Sequence, residues 1–357
     1  MIVAGQKANV YSFAALAEHT MGSFGFYMLN FMLFIQSAGS CVSYFILVAD
    51  TLPILFSLYI PQYPILGDRQ LMTILISVLL IFPLNLFRSI GALARWSAFA
   101  VFLLPIMVLT VMIRAPLYAG QHDAPLLMLG RDPVAATGIM AFSFVCSQVV
   151  FSNYLSQRNQ SLSAWAKTSS LSTFFSWTIS ISFAIIGYLS FGVDADANIF
   201  SNFPIDDPII NIGRLTLGIS MILTVPMGFY PARDALQKAL GLETTEKQPS
   251  NWQHYSLTVI LFAVFLAMGV NLRSLGKVYS VVGGIASACL AYIIPGYSYL
   301  KVFRPFTSNC PSELIPFAKP MDQDNIIPVS WILSICSVIL VLFGSIVMSL
   351  TAIGAFK

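Results

Sequence analysis

Two serines and a glutamine interrupt a long apolar stretch near the middle of the chain. Ser143 and Ser147 are four residues apart, and Gln148 follows the second serine directly. Residues four apart share one face of a helix, so we expect both hydroxyls to point the same way. Polar groups in hydrocarbon are costly unless they have a partner or a function. The cluster therefore predicts either a site for a polar solute, with loosened backbone beside it, or hydrogen bonds that join neighbouring helices.

A second pair of hydroxyls lies on a later apolar stretch. Ser220 and Thr224 are also four residues apart, and Pro226 follows them. A proline inside a helix has no N–H and crowds the carbonyl four residues back, here that of Ile222. Two hydroxyls beside freed carbonyls would supply the oxygen ligands that a hard cation such as Na⁺ prefers. The alternative is a proline kink whose free acceptors are satisfied by Thr224.

Two charged residues lie near the ends of apolar stretches. Asp50 closes a predicted helix, where an acid opposes the helix dipole, so it is expected to carry a proton, pair with a base or begin the next turn. The middle of the stretches that carry the two hydroxyl pairs contains no Asp, Glu or His, so Asp50 is the nearest proton carrier. Arg214 lies just over one turn inside its helix, and we expect its side chain to reach outwards to the membrane surface.

These residues must be positioned by helices that cross a membrane. Apolar residues make up 57% of the 357 residues, charged residues make up 9%, and the mean hydropathy is +0.80. Soluble domains carry about 25% charged residues, and a transmembrane barrel needs many polar residues facing its lumen, so both classes are excluded. One span takes about 20 apolar residues. An all-α polytopic membrane protein with nine spans is predicted: 26–49, 71–87, 96–113, 134–153, 171–191, 209–230, 255–270, 277–300 and 328–352.

The chain has no pattern typical of catalysis, metal binding or nucleic-acid binding. The three histidines are scattered, the His-Glu-x-x-His motif is missing, and no two of the five cysteines are close in sequence. The net charge of +3 is spread thinly. We therefore expect a protein that is not an enzyme and that needs no metal or cofactor beyond a coupling ion. Its expected partners are the lipid bilayer and a small solute, and not nucleic acid.

Lys and Arg in the connections predict the orientation in the membrane. Eleven of them lie on the side of the N-terminus and six on the other side, and positive residues favour the cytosolic side. The N-terminus is therefore predicted to be cytoplasmic. The predicted organisation is a cytoplasmic segment at 1–25, a transmembrane domain at 26–352 and, within that domain, a cytoplasmic polar loop at 231–254. The first segment carries apolar residues at the spacing of a short helix in the membrane interface: Val10, Phe13, Leu16 and Ala17.

Six stretches between Tyr11 and Arg304 form an ordered set of short motifs. They are Ser12–His19 with Gly22 and Gly25, Ala49-Asp50-Thr51-Leu52-Pro53, Phe142-Ser143-Phe144-Val145-Cys146, Asn198–Pro204 with Asp206, Thr224-Val225-Pro226 with Pro231-Ala232-Arg233, and Ile294-Pro295-Gly296 with Tyr299-Leu300-Lys301. In order and spacing they resemble the amino acid/auxin permease family, which includes animal sodium-coupled neutral amino acid transporters and fungal vacuolar amino acid transporters. Each motif is weak alone, but the ordered set is specific.

The resemblance implies an eleven-span transporter with a LeuT-like, five-plus-five inverted repeat. The nine segments would be spans three to eleven, and 26–352 would be the transporter domain. In that fold, spans one and six are broken at mid-membrane and hold the amino acid, whereas spans one and eight hold the coupling ion. The segment 134–153 corresponds to span six, and 209–230 corresponds to span eight. Both polar clusters therefore fall where this architecture needs them.

The resemblance also implies which residues bind and couple. The implied substrate-binding residues are Phe142, Ser143, Cys146, Ser147 and Gln148, and the implied residues for cation or proton coupling are Ser220, Thr224 and Asp50. The family usually has a histidine after its Phe-x-Phe-Val-Cys motif, whereas Ser147 and Gln148 follow it here. This departure removes an ionisable ring from the site and leaves the substrate range open.

These features predict a secondary active transporter of small neutral amino acids that is coupled to H⁺ or Na⁺. We expect it in a vacuolar or lysosomal membrane rather than in the plasma membrane. Residues 1–5 resemble the last turn of span two, so we expect the sequence to begin at an internal Met of a longer gene; a truncated, inactive transporter is one alternative. The other alternative is an amino acid sensor, a receptor-like membrane protein that binds its ligand without transport.

Overall fold

The chain is helical throughout the part that the structure describes. The computed structural model describes residues 1–88, 90–119, 125–127, 130, 132–158, 160–242, 248–303 and 331–355, and contains no strand within these ranges. The all-α prediction is therefore confirmed there. The α-helices are α1 (Ile2–Ala8), α2 (Phe13–Tyr59), α3 (Arg69–Ile76), α4 (Phe82–Asn85), α5 (Ile90–Tyr118), α6 (Pro133–Phe144), α7 (Val150–Ser156), α8 (Leu162–Phe191), α9 (Pro208–Ala239), α10 (Asn251–Asn271), α11 (Leu275–Val282), α12 (Ile294–Phe303) and α13 (Trp331–Ala355).

Eight helical stretches within the described residues are long and apolar enough to cross a membrane. They are Phe13–Tyr59, Phe99–Tyr118, Pro133–Ser156, Leu162–Asp194, Pro208–Ala239, Asn251–Asn271, Leu275–Phe303 and Trp331–Gly354. The predicted segment 71–87 coincides with a shorter apolar helix, Arg69–Asn85. A polytopic membrane protein is confirmed, whereas the count of nine spans stays a prediction.

The short helix Arg69–Asn85 has a widened turn in its middle. Asp68 caps its start by accepting a hydrogen bond from the backbone N–H of Leu71 at 2.7 Å. The backbone takes π-helical form from Ser77 to Ile81, just before Pro83. Proline cannot donate to the carbonyl four residues back and crowds it, so the hydrogen-bond ladder ahead of it is disturbed. The helix therefore consists of α3, the π turn and α4.

The helix α2 is two helices joined at Gly22. This glycine has φ 65° and ψ −159°, a conformation that residues with a side chain rarely adopt. The residues before it, 13–21, form the short helix that the apolar spacing predicted, and those after it continue to Tyr59. The span 26–49 was therefore predicted too short at its C-terminal end, because Pro53 lies inside the helix instead of ending it.

One of the two compact units of the chain comprises residues 1–36, 134–173 and 280–357. Its core includes Leu16 and Ala17 from the short helix, together with Phe151 and Tyr154 from α7. Tyr154 donates a hydrogen bond to the carbonyl of Gln160 at 2.7 Å and accepts one from Gln6 at 2.8 Å. The apolar face that the sequence assigned to the membrane interface is thus packed against protein in this unit.

The other compact unit comprises residues 37–133 and 174–279. Its longest helix is α9, which packs along α5. An aromatic cluster joins α2, α9 and α10: the ring centroids of Phe45 and Phe262 are 5.7 Å apart, and those of Phe229 and Phe265 are 5.9 Å apart. The predicted polar loop 231–254 is helical at both ends, because α9 continues to Ala239 and α10 begins at Asn251 after a capping box formed by Ser250 and Gln253.

Candidate functional site

The predicted span 134–153 is broken in its middle. The helix α6 ends at Phe144, a 3₁₀ turn covers Ser147–Val149, and α7 starts at Val150. Cys146 has φ −134° and ψ 5°, which is not helical. Residues Val145–Val149 include neither proline nor glycine, so no helix-breaking residue forces the interruption. The 3₁₀ turn at the break contacts the π-helical segment Cys289–Ile293 of the same unit. Loosened backbone is therefore present where the sequence predicted it.

The polar side chains at this break differ in their partners. Ser143 is exposed and donates its hydroxyl proton to the carbonyl of Ile139 at 2.9 Å. Ser147 is buried, and neither its Oγ nor Oε1 of Gln148 has a hydrogen-bond partner among the described residues. The break also removes helical partners from backbone groups on either side of it. The free hydrogen-bonding capacity of the break is therefore concentrated at Ser147 and Gln148.

The other two residues that were predicted to bind substrate, Phe142 and Cys146, have apolar or weakly polar side chains. Phe142 is half-buried on the last turn of α6, and Cys146 is exposed at the break with a free thiol. All five residues from Phe142 to Gln148 that were predicted to bind substrate lie at this one break. The structure thus brings the predicted substrate residues together, and their role in binding stays a prediction.

A close backbone contact holds α6 next to the break. A Cβ atom added to Gly138 would lie 2.5 Å from the carbonyl oxygen of Ser280 and 3.1 Å from the backbone N of Gly284. These distances are below normal van der Waals contact, so only glycine fits at position 138 without a shift of the backbone. Gly283 and Gly284 of the later span lie at this contact and permit it, because they carry no side chain.

The hydroxyls of Ser220 and Thr224 lie together on α9. Ser220 is buried and donates to the carbonyl of Ala100 on α5 at 3.3 Å. Thr224 is half-buried and donates to the carbonyl of Ser220 at 2.7 Å. Both donated protons therefore go to backbone oxygens, and a hydroxyl that donates its proton still has lone pairs that can accept a hydrogen bond or bind a cation. Pro226 lies inside α9, and the carbonyl of Ile222 loses its usual helical donor there.

Asp50 was predicted to close a helix, and this prediction is wrong. It lies inside α2, which runs nine residues further to Tyr59. Its carboxylate accepts a hydrogen bond from Nε of Arg69 at 3.0 Å, and the same guanidinium donates to the carbonyls of Val270 and Leu272. Pairing with a base was one of the predicted roles for Asp50. The carboxylate contacts Arg69 rather than the hydroxyl pair on α9.

Arg214 was predicted to reach outwards, and it does not. Arg214 is 1% exposed. Its guanidinium donates hydrogen bonds to the carbonyls of Phe200, Phe203 and Pro204 and to Oδ1 of Asn211. The connection before α9 folds back over the helix, so carbonyl oxygens reach the guanidinium and replace water. This backbone arrangement has no signature in the apolar pattern.

Asp207 is a buried acid that the sequence reasoning did not single out. It caps α9 by accepting from the backbone N–H groups of Ile209 and Ile210, and it also accepts from Nε of Arg114 at 2.7 Å and from the hydroxyl of Tyr118 at 2.9 Å. Burial alone would raise the pKa of this carboxyl, but the hydrogen bonds from Arg114 and Tyr118 outweigh it and hold the pKa below its ordinary value. An Asp followed by Pro at a helix start was the available signal.

The long apolar helices define this chain as a polytopic membrane protein, and one of its spans is interrupted at Val145–Val149. The family model described as transmembrane amino acid transporter protein matches residues 1–350. The chain belongs to that family.

The chain aligns over most of its length with several relatives at low sequence identity. It is 29% identical over 313 residues to vacuolar amino acid transporter 2 of Saccharomyces cerevisiae, which covers 82% of this chain and 64% of the yeast protein. It is 26% identical over 309 residues to a Danio rerio protein provisionally named sodium-coupled neutral amino acid transporter 11, which covers 85% of this chain and 68% of that protein. The human protein of the same name is 26% identical, with coverage of 85% and 75%. The chain thus spans under two thirds of the yeast relative's length.

Proposed function

We propose that the protein carrying this sequence is a secondary active transporter of small neutral amino acids. One observation supports this most: in a chain of the transmembrane amino acid transporter family, a span is broken at Val145–Val149, and Oγ of Ser147 and Oε1 of Gln148 have no partners among the described residues. An unpaired buried polar group costs free energy. A polar solute that pairs with these groups recovers that cost, which favours its binding at the break.

The chemistry of the break suits a zwitterion. The last carbonyls of α6 point towards the break with the negative end of the helix dipole, which favours the ammonium group of an amino acid. The hydroxyl of Ser147 would donate a hydrogen bond to its carboxylate, and Oε1 of Gln148 would accept one from its ammonium group. No ionisable side chain lies among the five residues that were predicted to bind substrate apart from the thiol of Cys146, which supports a neutral substrate.

The ion that drives transport would bind at one of two sites. Na⁺ would be held by the oxygens of Ser220 and Thr224 together with the carbonyl that Pro226 frees. H⁺ would be carried by Asp50 and exchanged against its pair with Arg69. The name of the Danio rerio relative mentions sodium, and the yeast relative is named as vacuolar, so both ions remain open to test.

The proposed membrane arrangement follows from the charge distribution and the family. The nine apolar segments are spans three to eleven of an eleven-span, five-plus-five inverted repeat, and 26–352 form the transporter domain. The N-terminal segment 1–25 and the connection from α9 to α10 face the cytosol. The membrane is that of the vacuole or lysosome, in agreement with the name of the yeast relative.

Counterflow of radiolabelled amino acids into proteoliposomes tests this function. We expect the complete gene product to exchange external labelled alanine or serine for the same unlabelled amino acid inside. Ser147→Ala and Gln148→Ala should each lower the rate by about tenfold, since each removes one hydrogen bond to a charged group. Ser152→Ala is the matched control, because this exposed α7 hydroxyl already bonds to the carbonyl of Val149. Saturable binding without counterflow would replace transport by sensing.

A further inference from the structure

One end of the compact unit that comprises residues 1–36, 134–173 and 280–357 is strongly basic. It carries every lysine and arginine that the structure describes in this unit. These are Lys7 near the end of α1, Arg158 just after α7, Lys167 in the second turn of α8 and Lys301 in the last turn of α12. We call this set the basic end. None of the four takes part in the proposed substrate or coupling sites, so the proposed function does not account for it.

Two of these cations lie together where α1 packs against α12. Nζ of Lys7 is 4.1 Å from the centroid of the Phe303 ring. Lys301 precedes Phe303 by two residues on the same helix, so it lies within one turn of that contact. A cation over an aromatic ring is attracted by the negative face of the ring, which has no net charge. The contact therefore holds the Lys7 ammonium in place without cancelling its charge.

Contacts around Tyr154 bring the other two cations to the same end. The hydroxyl of Tyr154 accepts a hydrogen bond at 2.8 Å from Gln6, the residue before the lysine of α1. The ring of Tyr154 lies edge-on against that of Trp165, with their centroids 5.8 Å apart. Arg158 follows Tyr154 by four residues, and Lys167 follows Trp165 by two. The ends of four helices therefore meet here, and each brings one positive charge.

The positive charge of the basic end is not neutralised by acids of the same unit. Lys7, Arg158 and Lys167 are exposed, and Lys301 is half-buried. No salt bridge joins any of them to a carboxylate within the described ranges. The acid in the described part of this unit is Glu18, an exposed residue near the start of α2. One acid against four bases leaves a surplus of positive charge.

The basic end lies at the level where a membrane has its lipid headgroups. Three stretches that are long and apolar enough to cross a membrane begin or end here: Pro133–Ser156, Leu162–Asp194 and Leu275–Phe303. Tyr154 and Trp165 lie at the same end, and these two residue types are enriched at the interface between membrane and water. The four cations therefore face headgroups, and the phosphate and carboxylate oxygens of anionic headgroups are partners that Lys and Arg bind well.

We propose that the basic end binds the headgroups of anionic phospholipids. Each Lys or Arg near an anionic leaflet strengthens binding about fivefold, so four of them together give a marked preference for anionic over zwitterionic lipid. Bound headgroups join α1, α8 and α12 through charges that these helices do not neutralise among themselves. The proposal rests on the proposed transporter only in placing this end at the membrane surface.

Thermal unfolding of the complete gene product in nanodiscs tests the proposal. As phosphatidylserine replaces phosphatidylcholine, we expect a saturable rise in unfolding temperature. Salt at about 1 M, where the Debye length is about 3 Å, should remove most of this rise. Equal unfolding temperatures at all phosphatidylserine fractions would overturn the proposal. So would a rise of the same size on adding soluble polyglutamate to phosphatidylcholine nanodiscs, which would assign the basic end to an acidic protein segment instead.

Two variants show whether the effect arises at the basic end. Arg158→Gln removes an exposed charge outside the helices, so we expect the half-saturating fraction of phosphatidylserine to rise about fivefold. Lys7→Gln should act similarly, and its unfolding temperature in pure phosphatidylcholine corrects for the lost contact with Phe303.

The matched control is Arg273→Gln, at an exposed arginine in the turn after α10 of the other compact unit. It changes the net charge equally and should leave the phosphatidylserine dependence unchanged. The same shift in all three variants would reduce the effect to net charge and refute the site. None of these measurements depends on transport, so a negative result here leaves the proposed function standing.

Discussion

The carboxylate of Asp207 accepts a hydrogen bond from Nε of Arg114 at 2.7 Å, which ties the start of α9 to the end of α5. Tyr118, one turn further along α5, donates to the same carboxylate oxygen. These hydrogen bonds hold the pKa of Asp207 below 3.8, its ordinary value. A carboxyl with a lowered pKa stabilises the folded state above its unfolded pKa, and this contribution is lost as the pH falls through the folded value.

We therefore expect Asp207→Asn to lower the unfolding temperature by a few degrees at pH 7 and to flatten its fall below pH 3.8. The neighbour Asp206 is exposed, so Asp206→Asn should behave as the parent protein does. Scans of unfolding temperature against pH measure both variants. The same acid-dependent loss in the parent and in Asp207→Asn would show that the stability does not come from this carboxyl.

Thr224→Ala is expected to lower transport by about tenfold or more while the protein stays folded, because it removes one hydroxyl oxygen without opening a large cavity. Thr224→Ser keeps that oxygen and should retain most activity. With Na⁺ coupling, the apparent affinity for Na⁺ should fall more than the affinity for the amino acid. Thr216→Ala is the control, since Thr216 makes the same kind of bond to α9 carbonyls. Equal uptake by both alanine variants would leave Thr224 as a partner of the proline kink.

Asp50→Asn distinguishes the two coupling ions. The change removes the acid but leaves Arg69 bonded to the carbonyls of Val270 and Leu272, so we expect only a small loss of stability, about 0–1 kcal/mol. If protons drive transport through Asp50, uptake in this variant should lose its pH dependence, whereas Thr224→Ala only slows uptake. If Na⁺ drives transport, the pH profile should stay as in the parent. Uptake measured over a range of pH at fixed Na⁺ decides between these outcomes.

Gly138→Ala should destabilise the protein by about 1–3 kcal/mol, because the added methyl would meet the carbonyl of Ser280 at 2.5 Å. The matched change is Gly354→Ala on α13, where no atom lies within 4 Å of the new Cβ and alanine favours the helix. Unfolding in denaturant gives both free energies. Similar values for the two variants would mean that α6 moves aside easily.

The distribution of Lys and Arg predicts that the connection from α9 to α10 and the connection from α8 to α9 lie on opposite sides of the membrane. A cysteine introduced by Gln248→Cys should react with a membrane-impermeant maleimide from the cytosol, and one introduced by Asp196→Cys should react only from the other side. Both labels belong in a background from which the native cysteines have been removed. Labelling of the two positions from the same side would contradict the arrangement of spans three to eleven.

The sequence located the helices well because long apolar runs alone identify spans. Local pattern did not reveal where those helices bend. The break at Val145–Val149 contains no proline or glycine, so the resemblance to a family indicated it and helix propensity did not. The π-helical segments at Gly283–Ser287 and Cys289–Ile293 depend on packing against neighbouring helices. Such packing cannot be predicted from the local pattern of a single sequence.

Both charged residues that were misplaced were interpreted from their position along a helix. Asp50 was taken as the end of a helix that in fact continues to Tyr59, and Arg214 was expected to reach water. Their partners are Arg69, which lies 19 residues further along the chain, and the carbonyls of a connection that folds back onto α9. Such partners come from tertiary structure, and their positions do not follow from helical periodicity.

The same end of α9 is fastened by two residues of opposite charge that respond differently to acid. The guanidinium of Arg214 stays protonated at any pH a cell produces, so its bonds to Phe200, Phe203 and Pro204 do not titrate. The carboxylate of Asp207 becomes neutral in sufficiently strong acid and then holds Arg114 only weakly. Acidification therefore weakens the hydrogen bond from Arg114 and the cap at the start of α9 while the bonds from Arg214 to the preceding connection persist.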